Sequence, residues 1–391
     1  MNYRISPQVA ALSPSLTLAI DARAKQMKAE GLDVVGFGAG EPDFDTPQHI
    51  KDAAKKALDE GFTKYTPSSG IPELRQAIAD KFRRENGLTY KPSQIIVSCG
   101  GKHSCFNTVL ATCGPGDEVI IPAPYWLSYP EMVKLAGARP VIVPTTDATE
   151  FKLTPEQLRA AITDRTRLLI LNSPSNPTGT VYHPAELRAL GEVCLERDVL
   201  IMSDEIYEHL LYDGAVHQSM ASFSPEHYAH TIVVHGFAKA WSMTGWRLGF
   251  LAAPEPVARA IDAIQSHSTS NPTSFAQKGA VAALTGPQDH LKVWLAEFAK
   301  RRTYAHQRLN AMPGITCVNA KGAFYLFPNI ARTGLKSTEF CARLLDEEKV
   351  AAVPGIAFGA DNYIRLSYAT SMTNLEKGLD RLERFVRRLV K

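Results

Sequence analysis

Short apolar runs recur between residues 94 and 253, and most of them are separated by segments with helical spacing. The runs are rich in isoleucine, leucine and valine, and they are QIIVS, EVIIP, PVIVP, RLLILN, VLIMS, TIVVH and LGFLAA. The segments with helical spacing include PELRQAIADKFRREN before the first run and PAELRALGEVCLERD between two later ones. Short strands joined by helices are typical of a parallel sheet that is covered on both faces. The pattern therefore predicts an α/β fold with a mostly parallel central sheet.

The pattern changes near residue 285. A long amphipathic segment, LKVWLAEFAKRRTYAHQRLNAM, is followed by two isolated strand candidates, GAFYLFP and YIRLSYA, between further helices. A chain of 391 residues is also too long for one ordinary core. We predict a large domain over residues 46–284. We also predict an N-terminal arm, 1–45, that packs with a smaller α+β domain over 285–391.

Composition and charge exclude several classes of protein. Apolar residues make up 45% of the chain, charged residues 21%, and the net charge is only +3 without a basic block, so neither nucleic acid nor an anionic membrane is expected as a partner. No apolar segment is long enough to span a bilayer, and the first residues lack the layout of a secretory signal. The six cysteines form no CxxC pair, which indicates reduced thiols and a cytoplasmic protein.

Polar or glycine-rich loops follow the carboxyl ends of the predicted strands, where open α/β sheets bind ligands. These loops contain CGGKHS, APYW, SPSNPTG, SDEIY and HGFAK. In the first, Gly100 and Gly101 would let backbone N–H groups approach an anion at a helix start, although a plain strand-to-helix turn accounts for them equally well. The segment GFGAGEPDF lacks the spacing of GxGxxG, and no GxxxxGK[ST] is present, so a nucleotide-binding site is excluded.

Charged side chains in apolar surroundings are the other candidates for chemistry. Lys239 and Arg247 lie in HGFAKAWSMTGWRLGF, where a lysine either extends to solvent or performs a reaction. Asp204 ends an apolar strand three residues before Tyr207, and it either caps a helix or pairs with a cation such as a protonated heterocyclic nitrogen. The histidines lack the HExxH spacing, so we predict no metal site.

Together these motifs resemble the class I aminotransferases, which are pyridoxal-phosphate enzymes of fold type I. GFAKAWSMTGWRLG fits the lysine signature of that family at every position, and the family's order is kept by GAGEPDFDTP, KYTPSSGIPELR, APYW, SPSNPTG, SDEIY and IRLSYATS. The resemblance covers essentially the whole chain and is closest to the bacterial subgroup of aspartate and prephenate aminotransferases. Two departures are His235, where relatives usually have Asn, and Ala238, where many have Ser.

The resemblance implies a ping-pong transaminase and assigns roles around the cofactor. Lys239 would bind pyridoxal phosphate covalently and then act as general acid and base, a task that suits a lysine whose pKa is lowered. Asp204 would keep the pyridine nitrogen protonated. Tyr207 and Asn176 would donate hydrogen bonds to the phenolic oxygen, and Trp126 would stack on the ring.

The resemblance also implies how the phosphate is held. The backbone of Gly100, Gly101 and Lys102 would bind it together with the guanidinium of Arg247. Tyr65 resembles the residue that reaches the phosphate of a neighbouring subunit, which implies an obligate homodimer with shared active sites.

Substrate preference is inferred from further positions of the same family. Arg365 would bind the substrate α-carboxylate, with Gly40 and Asn176 closing over it. The segment QSHSTSNPTS contains no arginine for a distal carboxylate, whereas Lys102 matches the lysine that takes this role in the bacterial subgroup. Relatives that accept prephenate have a lysine where this chain has Ser13. We therefore predict aspartate and glutamate as amino donors, with oxaloacetate and 2-oxoglutarate as acceptors.

Other functions share some of these residues. An aminotransferase of aromatic, prephenate or broad specificity would use the same site. A β-lyase acting on substituted amino acids would share Lys239, Asp204 and Arg365. A DNA-binding regulator built on this fold would need an additional helix-turn-helix, for which the arm before residue 46 leaves no room.

Overall fold

A computed structural model describes residues 3–13 and 16–390. The helices in this part of the chain are α1 Pro7–Ala10, α2 Leu16–Ala29, α3 Gln48–Asp59, α4 Pro72–Asn86, α5 Gly101–Thr112, α6 Ser128–Leu135, α7 Pro155–Ala161, α8 Pro184–Glu196, α9 Pro225–His230, α10 Glu255–Ser268, α11 Ser274–Thr285, α12 Asp289–Asn310, α13 Ser337–Glu348 and α14 Met372–Leu389. The strands are β1 Val35–Gly36, β2 Ile95–Ser98, β3 Glu118–Ala123, β4 Arg139–Pro144, β5 Thr166–Asn172, β6 Leu200–Asp204, β7 Thr231–Gly236, β8 Gly249–Ala252, β9 Tyr325–Leu326, β10 Val350–Ala351, β11 Val353–Pro354 and β12 Ile364–Ser367.

The central sheet has seven strands in the order β2-β8-β7-β6-β5-β3-β4. Neighbouring strands of this sheet are parallel, except that β8 runs antiparallel to both β7 and β2. The loop between β7 and β8 contains no helix, so the chain turns back and Gly236 pairs with Gly249. The predicted mostly parallel α/β fold is confirmed, and β8 is the strand whose direction the pattern does not reveal.

Helices cover both faces of this sheet. Successive residues of a strand point to opposite faces, and in β5 both sets are buried: Leu168 and Ile170 lie in one apolar cluster, Leu169 and Leu171 in another. Burial on both faces explains why the strands are continuous apolar runs rather than alternating ones. The same arrangement leaves polar residues only at the strand ends.

The C-terminal part contains a separate antiparallel sheet in the order β11-β12-β9. Its apolar core is shared with α12, α13 and α14. Val35 of β1 pairs in parallel with Val350 of β10, so the segment after α2 joins this part of the molecule. The domain boundaries at residues 46 and 285 stay a prediction. Within the described residues, no helix is long and apolar enough to cross a membrane.

Candidate active site

A cavity of about 310 Å³ opens where the carboxyl ends of β5 and β6 face β9 and β12. Nine of the predicted site residues line it: Gly40, Gly101, Lys102, Trp126, Asn176, Asp204, Tyr207, Lys239 and Arg365. Residues far apart in the chain therefore meet at one site. Gly100 and Arg247 lie beside it, whereas Tyr65 is 90% exposed and is not among the lining residues.

Lys239 points into this cavity rather than extending along the surface to solvent. Its Nζ donates a hydrogen bond to the backbone carbonyl of Gly40 at 2.5 Å. It also lies 5.6 Å from the ring centroids of both Tyr207 and Phe324. Burial lowers the pKa of Lys239 to about 8, and the positive charge of Arg365 acts in the same direction. An amine with such a pKa is available in its neutral, nucleophilic form near neutral pH.

Asp204 ends β6 and is 5% exposed. The Tyr129 hydroxyl donates to Oδ2 at 2.6 Å, and the Ile206 backbone N–H donates to Oδ1 at 3.3 Å. The residues that follow form turns, and no helix begins here, so the helix-cap alternative is not what the structure contains. Burial raises the pKa of Asp204 to about 6, which makes the site favourable for a cationic partner.

Arg365 of β12 provides a buried guanidinium that is 2% exposed. Nη1 donates to Asn176 Oδ1 at 2.9 Å, and Nη2 donates to the Gly38 carbonyl at 2.7 Å. Its Nε is buried without a hydrogen-bond partner, and among the described residues no carboxylate forms an ion pair with it. A buried cation without an anion is costly, so this arrangement favours an anionic ligand.

A second cationic position is formed by the start of α5 and Arg247. Gly100 has φ +90°, and a Cβ there would lie 2.5 Å from Arg247 Nη2. A Cβ at Gly249 would lie 2.2 Å from the backbone nitrogen of Gly101. Only glycines let the strand, the helix start and the guanidinium approach so closely. N–H groups at a helix start beside a guanidinium form an anion-binding cradle, here at Gly101 and Lys102. The Gly100 N–H, by contrast, donates to the Ser98 carbonyl at 2.7 Å.

The aromatic residues complete the walls. Trp126 lines the cavity, and Lys102 Nζ lies 5.0 Å from the centroid of its ring. The Tyr207 and Tyr325 hydroxyls are 2.9 Å apart and buried. The side chain of Lys102 therefore lies along the site instead of pointing into bulk solvent, although it remains exposed.

Five lining residues were missed by the sequence analysis: the apolar Leu127 and Ile206, and the polar Tyr129, Asn172 and Tyr325. Asn172 is the last residue of β5 and is paired in register with Asp204, so its position at the end of RLLILN was a usable signal. Its amide donates to the Asp204 carbonyl at 2.9 Å, while its Oδ1 accepts from the Asn176 backbone at 2.8 Å. The two tyrosines come from α6 and β9, and nothing in their local sequence indicates a site.

A cluster of buried charged side chains lies outside the residues that line the cavity. It comprises Lys81, Glu205, Glu208, His217 and His235. Glu208, His209 and His235, and likewise Glu205, Glu208 and His217, are spaced closely enough to hold a metal ion. Glu208 is already paired with Lys81 and accepts from the Asn86 amide at 2.8 Å. Protein donors already satisfy this carboxylate, which argues against a metal ligand here. The absence of a metal site stays a prediction.

Comparisons with known proteins agree with this geometry. The family model described as aminotransferase class I and II matches residues 32–382. An aspartate aminotransferase of Geobacillus stearothermophilus is 53% identical over 98% of this chain and 99% of its own. An aspartate/prephenate aminotransferase of Nitrosomonas europaea is 47% identical over 97% and 98%. The solved structure of Thermus thermophilus aspartate aminotransferase with maleate has a TM-score of 0.95 at 45% identity, covering 98% of this chain and 100% of that one.

Proposed function

Because the chain belongs to the class I and II aminotransferases, we propose that it exchanges an amino group between L-aspartate and 2-oxoglutarate, giving oxaloacetate and L-glutamate. Enzymes of this family depend on pyridoxal phosphate. The observation that supports the reaction best is the convergence of Lys239, Asp204 and Arg365 on one cavity of about 310 Å³. They provide an amine, a buried carboxylate and a guanidinium that has no counterion in the part of the chain that the structure describes.

The side chains present fit the cofactor. The cradle of Gly100, Gly101 and Arg247 suits a phosphate, since a Cβ at Gly100 would collide with the guanidinium. Asp204 suits a protonated ring nitrogen, because its buried carboxylate forms no ion pair with any cation among residues 3–13 and 16–390. Lys239 suits covalent attachment. We assign the backbone of Lys102 to the phosphate, Tyr207 and Asn176 to the phenolic oxygen, and Trp126 to the ring face.

When bound, pyridoxal phosphate supplies an electron sink for the negative charge that develops at the substrate Cα. Lys239 Nζ removes the Cα proton and later returns one, and its lowered pKa suits both tasks. Arg365 holds the α-carboxylate through its two terminal nitrogens, while Asn176 fixes the plane of the guanidinium. Gly40 lies beside Lys239 and closes the site over the substrate.

For the distal carboxylate of aspartate or glutamate we assign Lys102, whose ammonium lies along the wall that Trp126 forms. A second candidate is an aminotransferase that also accepts prephenate, which the name of the Nitrosomonas europaea relative supports. Ser13 replaces the lysine expected for that substrate, so we rank aspartate first. A panel of amino donors and 2-oxo acids compared by kcat/KM decides between the two.

We further propose a homodimer in the cytoplasm. Tyr65 is 90% exposed, as expected of a residue that acts in a neighbouring subunit, and the arm residues Ile5 and Val9 are 58% and 50% exposed. The six cysteines are all free thiols, which suits a reducing compartment. Analytical ultracentrifugation should give twice the mass of the chain, and a monomer with full activity would contradict shared sites.

The function is tested by trapping the cofactor. Borohydride reduction of the purified protein should attach it to the peptide that contains Lys239, as read by mass spectrometry. Addition of aspartate should convert the cofactor absorbance to that of the amine form, and 2-oxoglutarate should restore it. Lys239→Ala is the matched control and should show neither result. Release of pyruvate and ammonia from a β-substituted amino acid would indicate the lyase instead.

A further inference from the structure

Tyr129 donates the shortest hydrogen bond that Asp204 receives. Its hydroxyl is 2.6 Å from Oδ2, and the two residues are 2% and 5% exposed. The other neighbours are weaker donors in this geometry: the Ile206 N–H is 3.3 Å from Oδ1, and the Cys105 thiol is 3.8 Å from Oδ2. Tyr129 is therefore the main polar contact that the protein itself offers to this carboxylate.

The position of the hydroxyl is fixed by packing. Tyr129 lies in the first turn of α6, and its ring contacts that of Trp126 edge to face with centroids 5.2 Å apart. Its backbone N–H donates to the Trp126 carbonyl at 3.0 Å. A single stretch, WLSY, thus presents Trp126 to the cavity and holds the Tyr129 hydroxyl beneath Asp204. The tyrosine is thus buried, with its hydroxyl on the Asp204 carboxylate.

We propose that Tyr129 is a positioning residue that keeps the Asp204 carboxylate ionised, so that the proton shared with the cofactor stays on the ring nitrogen. The inference rests on the proposed function. A donor to the charged form of a carboxylate stabilises that form. Without this donor, a carboxylate buried beside a protonated nitrogen would accept its proton more readily, and the neutral pair would be more populated. A neutral ring withdraws electrons poorly, and the reaction would slow down.

The direct test uses pyridoxal phosphate labelled with ¹⁵N in the ring. The holoenzyme, Tyr129→Phe and Asp204→Asn are each reconstituted with it, and the ring ¹⁵N shift is followed against pH. In Tyr129→Phe the ring nitrogen should lose its proton at a pH about one unit lower than in the wild type. Asp204→Asn should give the unprotonated value throughout. The kcat of Tyr129→Phe should fall about tenfold or more, with a smaller change in KM.

The matched control is Tyr212→Phe. The Tyr212 hydroxyl also donates a 2.6 Å bond from a buried position, but to the Ala323 carbonyl, which also accepts from Tyr368 at 3.1 Å. This variant should leave the ring ¹⁵N titration unchanged. If Tyr129→Phe does not fold, a protein with fluorotyrosine at position 129 is used instead. The hydroxyl of fluorotyrosine is more acidic than that of tyrosine and donates a stronger hydrogen bond. The ring nitrogen should then keep its proton to a higher pH.

An unchanged ¹⁵N titration in folded Tyr129→Phe, or in the fluorotyrosine protein, would overturn the proposal and leave the transaminase function intact. Failure of the wild type to bind the labelled cofactor would instead contradict the proposed function. The two failures are therefore distinguishable in one series of spectra.

Discussion

Arg365 and Asn176 form a hydrogen bond between two parts of the fold, with Nη1 donating to Oδ1 at 2.9 Å. Arg365 belongs to β12 of the small sheet, whereas Asn176 lies in the loop after β5 of the central sheet. The contact orients a planar guanidinium that is buried and has no carboxylate partner in the described chain. Its remaining donors are thus available for a ligand whose position depends on both sheets.

This relationship predicts the effect of Arg365→Lys. Lysine keeps the positive charge but cannot reproduce the planar pair of donors or the bond to Asn176. We expect kcat/KM to fall about a hundredfold for every amino donor, since all share the α-carboxylate. Steady-state kinetics with aspartate and alanine measure this change. The cofactor absorbance should remain that of the wild type, and a loss confined to acidic donors would contradict the assignment.

Lys102→Ala should instead affect acidic and neutral amino donors differently. If the ammonium binds the distal carboxylate, kcat/KM for aspartate should fall about tenfold to a hundredfold, because one charge-assisted contact is lost. Alanine and phenylalanine lack that carboxylate and should change far less. An equal loss for acidic and neutral donors would mean that the ammonium acts on something all donors share, such as the cofactor phosphate. No loss for any donor would mean that only the backbone N–H of Lys102 matters. A wild type that prefers aromatic donors would overturn the assignment to aspartate.

The sequence predicted the parts of the site that are local in the chain. Asp204 ends a buried strand, and Asn176 and Lys239 lie in the loops after two other buried strands, so the order of the strands brings them to one edge. Tyr325 and Tyr129 reach the same cavity from β9 and α6, and their roles depend on tertiary packing that no short motif records. The direction of β8 was likewise hidden, because its apolar run resembles that of a parallel strand. The role proposed for Tyr65 involves a second chain, which a single sequence does not contain.

The lowered pKa of Lys239 predicts a pH dependence in the cofactor-free protein. Burial and Arg365 bring the pKa to about 8, so the neutral amine increases as the pH rises through that value. The rate of covalent cofactor uptake, measured by absorbance, should rise between pH 7 and 8.5 and then level off. An ordinary exposed lysine would show a rise that continues toward pH 10. Lys239→Ala provides the baseline, and a rate independent of pH would contradict the shift.

The buried charge cluster gives a prediction about stability. Lys81 is 0% exposed and pairs with Glu208, which is 6% exposed. Lys81→Met would leave that carboxylate buried without its cation, and we expect the free energy of unfolding to fall by about 3–5 kcal/mol. Urea unfolding at neutral pH measures the change. Lys56→Met in α3 is the control, since its pair with Glu60 is exposed and should contribute less than about 1 kcal/mol.

Lys81→Met should also change how strongly acid lowers the stability of the protein. The pKa of Glu208 gives the direction of this change. Burial alone would raise the pKa of this carboxyl, but Lys81 and His235 lower it well below the ordinary value of 4.5. In the wild type this group therefore stabilises the fold above about pH 4.5, and the contribution is lost as the pH falls. Without Lys81 the buried carboxyl binds a proton more readily when folded, so acid should destabilise Lys81→Met less than the wild type. Parallel slopes of unfolding free energy against pH would contradict the pairing.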